Sequence, residues 1–126
     1  MLICILGSGG LLFSQSLSAR DYFLLGAAKY KCRACEFAVK DFSKAIELDK
    51  DFAEAYYGRS LSYQCMEDYG AALRDIDRAI RLKPTEVLYK EGKARIRLAS
   101  GDSNGALRGF QEALRMDSVC WQAWYG

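Results

Sequence analysis

Residues 55–84, AYYGRSLSYQCMEDYGAALRDIDRAIRLKP, carry the pattern that decides the fold of this 126-residue chain. When the sequence is shifted by 34 positions, small residues meet small residues and large apolar residues meet large apolar ones. The matching columns are Gly26/Ser60/Ala94, Ala38/Ala72/Ala106, Ala45/Ala79/Ala113, Phe42/Ile76/Phe110, Ile46/Ile80/Leu114 and Leu48/Leu82/Met116. A period of this length is typical of a stacked repeat array, and not of one globular fold with a single cleft.

Within each repeat, the apolar residues are spaced as they would be in two consecutive helices. Apolar residues recur at steps of three and four, as in Leu73, Ile76, Ala79 and Ile80, which is the periodicity of a helix with one buried stripe. We predict helices over residues 19–31, 35–48, 53–65, 69–82, 87–99, 103–116 and 120–126. The sequence then divides into an apolar leader (1–18), three repeats (19–52, 53–86 and 87–120) and a truncated start of a fourth repeat (121–126).

Polar residues and breakers mark the turns between these helices. Asp68 and Asp102 precede the second helix of their pairs, where a carboxylate can accept hydrogen bonds from free backbone N–H groups. Gly101 is placed to end the preceding helix in a left-handed conformation, and Pro84 cannot continue the helix before it. The first repeat has Ala34 in the aspartate column, so we expect its cap to be weaker or supplied by another residue.

These residues resemble the tetratricopeptide repeat. The second repeat carries the family's pattern in Ala55-Tyr56, Ser60, Tyr63, Tyr69, Ala72, Ile76, Ala79 and Pro84. The third repeat departs from it at Lys90, where an aromatic residue is usual, and at Ser118, which replaces the proline. The resemblance covers about residues 19–126 and implies an all-α, right-handed superhelical array of antiparallel helix pairs.

The resemblance also implies a concave groove lined by the first helix of each pair, where the family binds peptides or helices of other proteins. The groove residues carried over to this chain are Phe23, Ala27, Tyr30, Glu54, Tyr57, Leu61, Gln64, Leu88, Glu91 and Arg95. Aromatic and aliphatic side chains with charges of both signs suit an amphipathic segment. We therefore expect a non-catalytic protein–protein interaction scaffold. The alternative for Phe23, Tyr57 and Leu61 is that neighbouring repeats partly cover them.

One subclass of the family holds the C-terminal carboxylate of chaperone tails with Lys, Arg and Asn side chains. The equivalent positions here are Phe23, Ala27, Gly58, Leu88 and Gly92, none of which has a side-chain hydrogen-bond donor. We therefore expect no capture of chaperone tails by that clamp.

Composition limits the other functions. The chain has no histidine, which removes Ser-His-Asp and Cys-His catalysis, and its carboxylates lie among Lys and Arg as on a solvated surface. A formal net charge of +2 gives no electrostatic case for a nucleic acid or a membrane. RNA binding, as in the related pentatricopeptide repeats, is disfavoured by the constant 34-residue period and by Glu54 and Glu91 in the groove. We predict no enzyme activity and no cofactor.

Five cysteines include the pair Cys32 and Cys35 in a CxxC spacing at a helix turn. No second CxxC accompanies it, and the same columns hold Met66 and Tyr69, so we predict free cysteines that pack as small apolar residues. Zinc held by Cys32, Cys35 and Cys65 is the alternative. The odd number of cysteines favours a reducing compartment, so we expect a cytoplasmic protein.

The two ends of the sequence lie outside the complete repeats. Met1–Phe13 is apolar, too short to span a bilayer as a helix, and preceded by no Lys or Arg. Secretion through residues 1–16 as a signal peptide remains the alternative to a cytoplasmic location. At the other end, Trp121, Trp124 and Tyr125 begin a helix without a partner, so self-association through them is an alternative function.

Overall fold

The computed structural model describes the backbone of residues 16–125 and the side chains of residues 16–118. Within this range the chain forms α-helices and no strand. The helices are α1 (Ala19–Lys31), α2 (Cys35–Leu48), α3 (Ala53–Cys65), α4 (Tyr69–Leu82), α5 (Val87–Ala99) and α6 (Ser103–Tyr125). They pair as α1/α2, α3/α4 and α5/α6, which confirms the predicted all-α array.

Each helix packs on the one before it, so the pairs lean on one another in chain order. The first helices also meet directly: α1 contacts α3, and α3 contacts α5. This succession makes a helical repeat solenoid, with α1, α3 and α5 side by side on one face. None of the helices in the described range combines the length and the apolar character that a membrane crossing needs.

Small residues lie where the helices approach most closely. Ser60 and Ala72 are fully buried between α3 and α4, and Ala94 and Ala106 are at most 2% exposed between α5 and α6. Two helices reach a separation of 8–10 Å only where such side chains face each other. The small-residue columns of the sequence are therefore the contact surfaces of the helix pairs.

The large apolar columns are buried less evenly. Phe42 and Ile76 are at most 2% exposed, as expected, but Leu48 is 57% exposed and Leu114 is 67% exposed. Leu48 is the last residue of α2, where the chain turns away towards α3. Leu114 lies on a side of α6 that no helix of the described range covers. The columns to which Leu48 and Leu114 belong are therefore not buried in every repeat.

The turns inside the pairs share one geometry. Arg33, Glu67 and Gly101, which are 34 residues apart in succession, have φ angles of 66°, 61° and 96°. After each of them the chain donates a backbone hydrogen bond back to the preceding helix, as from Asp102 N to Arg97 O at 2.8 Å. This is the left-handed helix ending expected for Gly101. Arg33 and Glu67 adopt it without glycine, which the sequence did not reveal.

The predicted helix caps are present. Asp68 Oδ1 accepts a hydrogen bond from Ala71 N at 3.2 Å, and Asp102 Oδ1 accepts one from Gly105 N at 2.8 Å. Ala34 provides no side-chain cap to α2, as expected. Helix α1 has a capping box that the sequence analysis missed, because Ser18 and Asp21 each accept a hydrogen bond from the backbone N–H of the other.

The last helix corrects a sequence prediction. Residues 103–116 and 120–126 were predicted as two helices, but α6 runs without interruption from Ser103 to Tyr125. Between the second and third repeats Pro84 stops α4. The equivalent position at the end of the third repeat, 34 residues later, is Ser118. Ser118 donates its hydroxyl to Leu114 O at 3.0 Å and stays within the helix. Without a breaker, the helix continues through the predicted boundary.

The cysteines correct another prediction. Cys32 and Cys35 were expected to pack as free thiols, but Cys35 forms a disulfide with Cys65, with Cα atoms 6.3 Å apart. Because α2 and α3 run in opposite directions, the first residue of α2 meets the last residue of α3. Two of the three sulfurs in the zinc alternative are therefore bonded to each other, while Cys32 is an exposed thiol.

Candidate functional site

The face formed by α1, α3 and α5 is a groove with two adjoining cavities of about 420 Å³ each. The first is lined by Phe23, Ala27, Tyr30, Lys31, Phe42, Glu54, Tyr57, Gly58, Leu61, Lys83, Glu86, Leu88 and Tyr89. The second is lined by Tyr30, Arg33, Tyr57, Leu61, Gln64, Cys65 and Arg95. Tyr30, Tyr57 and Leu61 belong to both, so the groove is continuous.

Nine of the ten predicted groove residues line these cavities. Those in the first cavity are Phe23, Ala27, Tyr30, Glu54, Tyr57, Leu61 and Leu88, and Gln64 and Arg95 join in the second. Glu91 lines neither cavity, although its charge acts on the Tyr57 hydroxyl. Phe23, Tyr57 and Leu61 are half-buried, so neighbouring repeats cover part of each side chain and leave part open to the groove.

Aromatic rings form the walls of the first cavity. The Phe23 ring lies 5.8 Å from that of Phe42 and 5.1 Å from that of Phe52, and Tyr57 lies 5.0 Å from Tyr89. Gly58 makes room for Phe42, since a Cβ at this position would lie 2.6 Å from the ring. The aromatic wall therefore depends on the absence of a side chain at Gly58.

Charges of both signs rim the first cavity. Lys83 Nζ lies 3.1 Å from Glu54 Oε1 across the groove entrance. Burial alone raises the pKa of Glu54, but hydrogen bonds from its own backbone N–H and from Lys83 outweigh this and lower the pKa. Lys31 and Glu86 add one charge of each sign. The rim of this half is close to neutral.

The second cavity has a different character. Arg33 and Arg95 line it, and no carboxylate among the described residues does. Burial raises the pKa of Tyr57, whereas Arg95 beside its hydroxyl acts in the opposite direction. One half of the groove is thus aromatic and apolar, and the other is polar and cationic.

Several lining residues of the groove were not predicted from the sequence. Lys83, Glu86 and Tyr89 lie at or just before the start of α5 and reach the groove because that helix begins at its edge. Arg33 lies in the left-handed turn after α1, so its side chain turns back beside Tyr30. The one sequence signal for this turn is that Arg33 lies two 34-residue periods before Gly101.

The other predicted sites have the following positions. Of the clamp positions, Phe23, Ala27, Gly58 and Leu88 line the first cavity, and Gly92 is buried beneath Tyr57. The backbone of Trp121, Trp124 and Tyr125 continues α6, while their side chains lie outside the described residues. In the described part of the chain, no three His, Cys, Asp or Glu residues cluster as a metal site.

Solved structures share this architecture. MamA superposes with a TM-score of 0.78 at 25% identity, over 83% of this chain and 61% of MamA. The first TPR of Spaghetti (RPAP3), solved with a bound HSP90 peptide, superposes with a TM-score of 0.75. At 16% identity over 82% of each chain, the latter likeness concerns the fold alone.

No family model matches the sequence. A TPR repeat-containing protein of Methanocaldococcus jannaschii is 29% identical over 89 residues, which cover 71% of this chain and 16% of the relative. The chain is a tetratricopeptide repeat protein. Human serine/threonine-protein phosphatase 5 is 36% identical to this tetratricopeptide repeat protein over 98 residues, covering 78% of the chain and 18% of the phosphatase. The chain therefore spans less than a fifth of these relatives' length.

Proposed function

We propose that this protein is a non-catalytic scaffold that docks an amphipathic segment of another protein in its groove. The observation that carries the proposal is the continuous groove across α1, α3 and α5, with an aromatic half and a cationic half. Half-buried aromatic side chains that retain an open edge provide anchoring surface at low entropic cost.

The two halves define the expected occupant. Apolar side chains of the segment would contact Phe23, Tyr57 and Leu88 in the first cavity. An acidic residue of the same segment would face Arg33 and Arg95 in the second, where its charge is complementary. A segment with both features on one face is an amphipathic helix or an extended peptide with acidic residues at one edge.

The residues at the family's clamp positions argue against capture of a chaperone tail. The Spaghetti structure holds the HSP90 peptide SRMEEVD. In this chain Phe23, Ala27, Gly58, Leu88 and Gly92 stand at the clamp positions, and none can donate a side-chain hydrogen bond to a terminal carboxylate. We therefore expect SRMEEVD and its C-terminally amidated form to give the same result in fluorescence polarisation, because no side chain at these positions recognises the terminal carboxylate.

A displayed peptide library tests the groove. Selected peptides should combine apolar and acidic residues, and the double variant Tyr57→Ala/Leu61→Ala should weaken their binding at least about tenfold. Phe37→Ala/Leu48→Ala is the matched control, because these apolar side chains are 56% and 57% exposed and line neither groove cavity. Equal losses in both double variants, or peptides without acidic residues, would contradict the proposed mode of docking.

Self-association is the second candidate function, and the exposed apolar face of α6 favours it. Leu107 and Leu114 are 57% and 67% exposed on this helix. A second copy packed against this face would bury them, and the predicted contribution of Trp121, Trp124 and Tyr125 would extend the contact. Sedimentation velocity should then show a dimer that Leu114→Asp or Trp124→Ala weakens. A monomer at high concentration would remove this candidate.

A further inference from the structure

The first two helix pairs each hold an aspartate of the second helix against a cation of the first. In α1/α2, Lys29 Nζ lies 2.6 Å from Asp41 Oδ2. In α3/α4, Arg59 binds Asp75 through two contacts, Nε to Oδ2 at 2.7 Å and Nη2 to Oδ1 at 2.8 Å. Asp41 and Asp75 are equivalent positions, 34 residues apart, on the second helix of each pair.

The third pair keeps the cations and loses the aspartate. Gly109 stands at the position of Asp41 and Asp75, while Lys93 and Arg97 stand at those of Arg59 and Lys29. Lys93 turns instead to Asp77 on α4, with Nζ 2.6 Å from Oδ1. In the part of the chain whose side chains are described, no carboxylate lies within ion-pair distance of Arg97.

A cleft of about 300 Å³ occupies this place between α5 and α6. Its lining residues are Ile80, Lys90, Lys93, Ala94, Arg97, Arg108, Gly109 and Glu112. None of them lines either groove cavity. The cleft is wide enough for an ion of phosphate size, given that a water molecule takes roughly 30 Å³ in the liquid.

The charges of the cleft do not cancel. Lys90 Nζ lies 2.5 Å from Glu112 Oε1, and Lys93 is paired with Asp77, so these two cations are neutralised. Arg97 and Arg108 are left, and neither has a carboxylate within ion-pair distance among the described side chains. Guanidinium groups present several donors in a planar fork that matches the oxygens of carboxylate and phosphate.

We propose that this cleft binds an oxyanion, a phosphate or carboxylate group, between Arg97 and Arg108. The bound group takes the place that the carboxylates of Asp41 and Asp75 hold in the first two pairs. The site is separate from the peptide groove, so it gives the protein a second ligand whose binding does not require an occupied groove.

Backbone amide NMR titrations of the full chain test the site. Sodium phosphate and sodium acetate are added in separate experiments against sodium chloride at matched ionic strength. We expect saturable shifts that centre on Lys93, Ala94, Arg97, Arg108 and Gly109. Shifts with phosphate alone identify a phosphate site, and shifts with both identify a general oxyanion site. Equal shifts with chloride, or shifts spread evenly over the surface, would overturn the proposal.

Variants separate the cleft from general surface charge. Arg97→Gln/Arg108→Gln should weaken oxyanion binding at least about tenfold, the loss expected for one charge-assisted hydrogen bond. Arg20→Gln/Arg78→Gln is the control of equal charge, since these arginines lie on α1 and α4 outside the cleft, and it should leave affinity unchanged. Equal loss in both double variants would overturn the proposal.

A third variant restores the missing carboxylate. Gly109→Asp should abolish oxyanion binding by placing an aspartate where the first two pairs have one. A Cβ at Gly109 would lie 2.9 Å from Ala94 Cβ, so Gly109→Asp/Ala94→Gly is made alongside it to relieve this contact. Unchanged phosphate and acetate affinity in a folded aspartate variant would contradict the assigned position.

Discussion

The rings of Tyr57 and Tyr89 lie with their centroids 5.0 Å apart and their planes inclined by 32°, which joins α3 to α5 at the wall of the groove. Tyr89 is only 3% exposed. Burial, reinforced by the nearby charges of Glu54 and Glu86 and by Tyr57, raises the pKa of Tyr89 to about 12. Burial also raises the pKa of Tyr57. The two hydroxyls are thus held in their neutral form.

This environment makes the protein lose stability at alkaline pH. A group whose pKa is raised on folding contributes stability that is fully present below its unfolded pKa, near 10, and is lost as pH rises towards the folded value. Tyrosinate absorbance should show a late titration step near pH 12 that Tyr89→Phe removes. Tyr30→Phe, which changes a tyrosine on the groove rim, should keep that step. A wild-type titration complete by pH 11 would contradict this assignment.

Asp75 should matter more to stability than an exposed aspartate. It is 7% exposed and accepts two hydrogen bonds from Arg59, so Asp75→Ala leaves a partly buried guanidinium without its partner. Loss of one member of a buried pair costs about 3 kcal/mol. Asp51→Ala is the control, because the Asp51 side chain is 80% exposed and should contribute less than about 1 kcal/mol. Urea unfolding measures both, and similar losses would contradict the prediction.

Two helical glycines should respond to alanine with opposite signs. A Cβ at Gly58 would lie 2.6 Å from Phe42 Cζ, so Gly58→Ala should destabilise the protein by roughly 1–3 kcal/mol through overpacking. At Gly70 the nearest side-chain atom would lie 3.8 Å away, and alanine should stabilise α4 by roughly 0.5–1 kcal/mol. Thermal unfolding of the two variants gives the signs directly. A stabilised Gly58→Ala variant would show that the helices are farther apart than described.

The disulfide between Cys35 and Cys65 should contribute to stability under oxidising conditions. It closes a loop across a sequence separation of 30 residues, for which the chain-entropy model gives roughly 3–4 kcal/mol. The double variant Cys35→Ala/Cys65→Ala should lower the unfolding midpoint, whereas Cys32→Ser should not, because Cys32 is an exposed free thiol. Mass spectrometry of unreduced peptides checks the pairing. A Cys32–Cys65 or Cys32–Cys35 peptide in its place would refute it.

The helices and their contacts were predictable because both depend on local patterns. Residues of the same type as Ala72 and Ile76 recur 34 positions before and after them. Helical periodicity then decides which face of each helix is buried. Groove residues such as Tyr57 follow once the first helices are known to lie side by side. Their contribution to partner binding is a separate question, which the groove variants address.

The features that escaped prediction depend on three-dimensional pairing. The disulfide requires knowing that α2 and α3 are antiparallel, so that residues 35 and 65 meet. The extension of α6 depends on the lack of a helix-breaking residue at Ser118. The 34-residue spacing alone predicts a helix boundary there. The cleft at Gly109 becomes visible only when Asp41 and Asp75 are seen to hold cations in the other two pairs.

Arg59 has a further consequence for how the solenoid comes apart. From α3 it reaches Asp75 on α4 and, through Nη1, the Ser43 hydroxyl on α2 at 3.0 Å. A single guanidinium therefore ties three consecutive helices, and the equivalent Lys93 holds only a carboxylate on the preceding α4. In a nearest-neighbour array, cooperativity follows the strength of such links. The first two repeats should thus melt as one unit, with the third fraying ahead of them in hydrogen exchange.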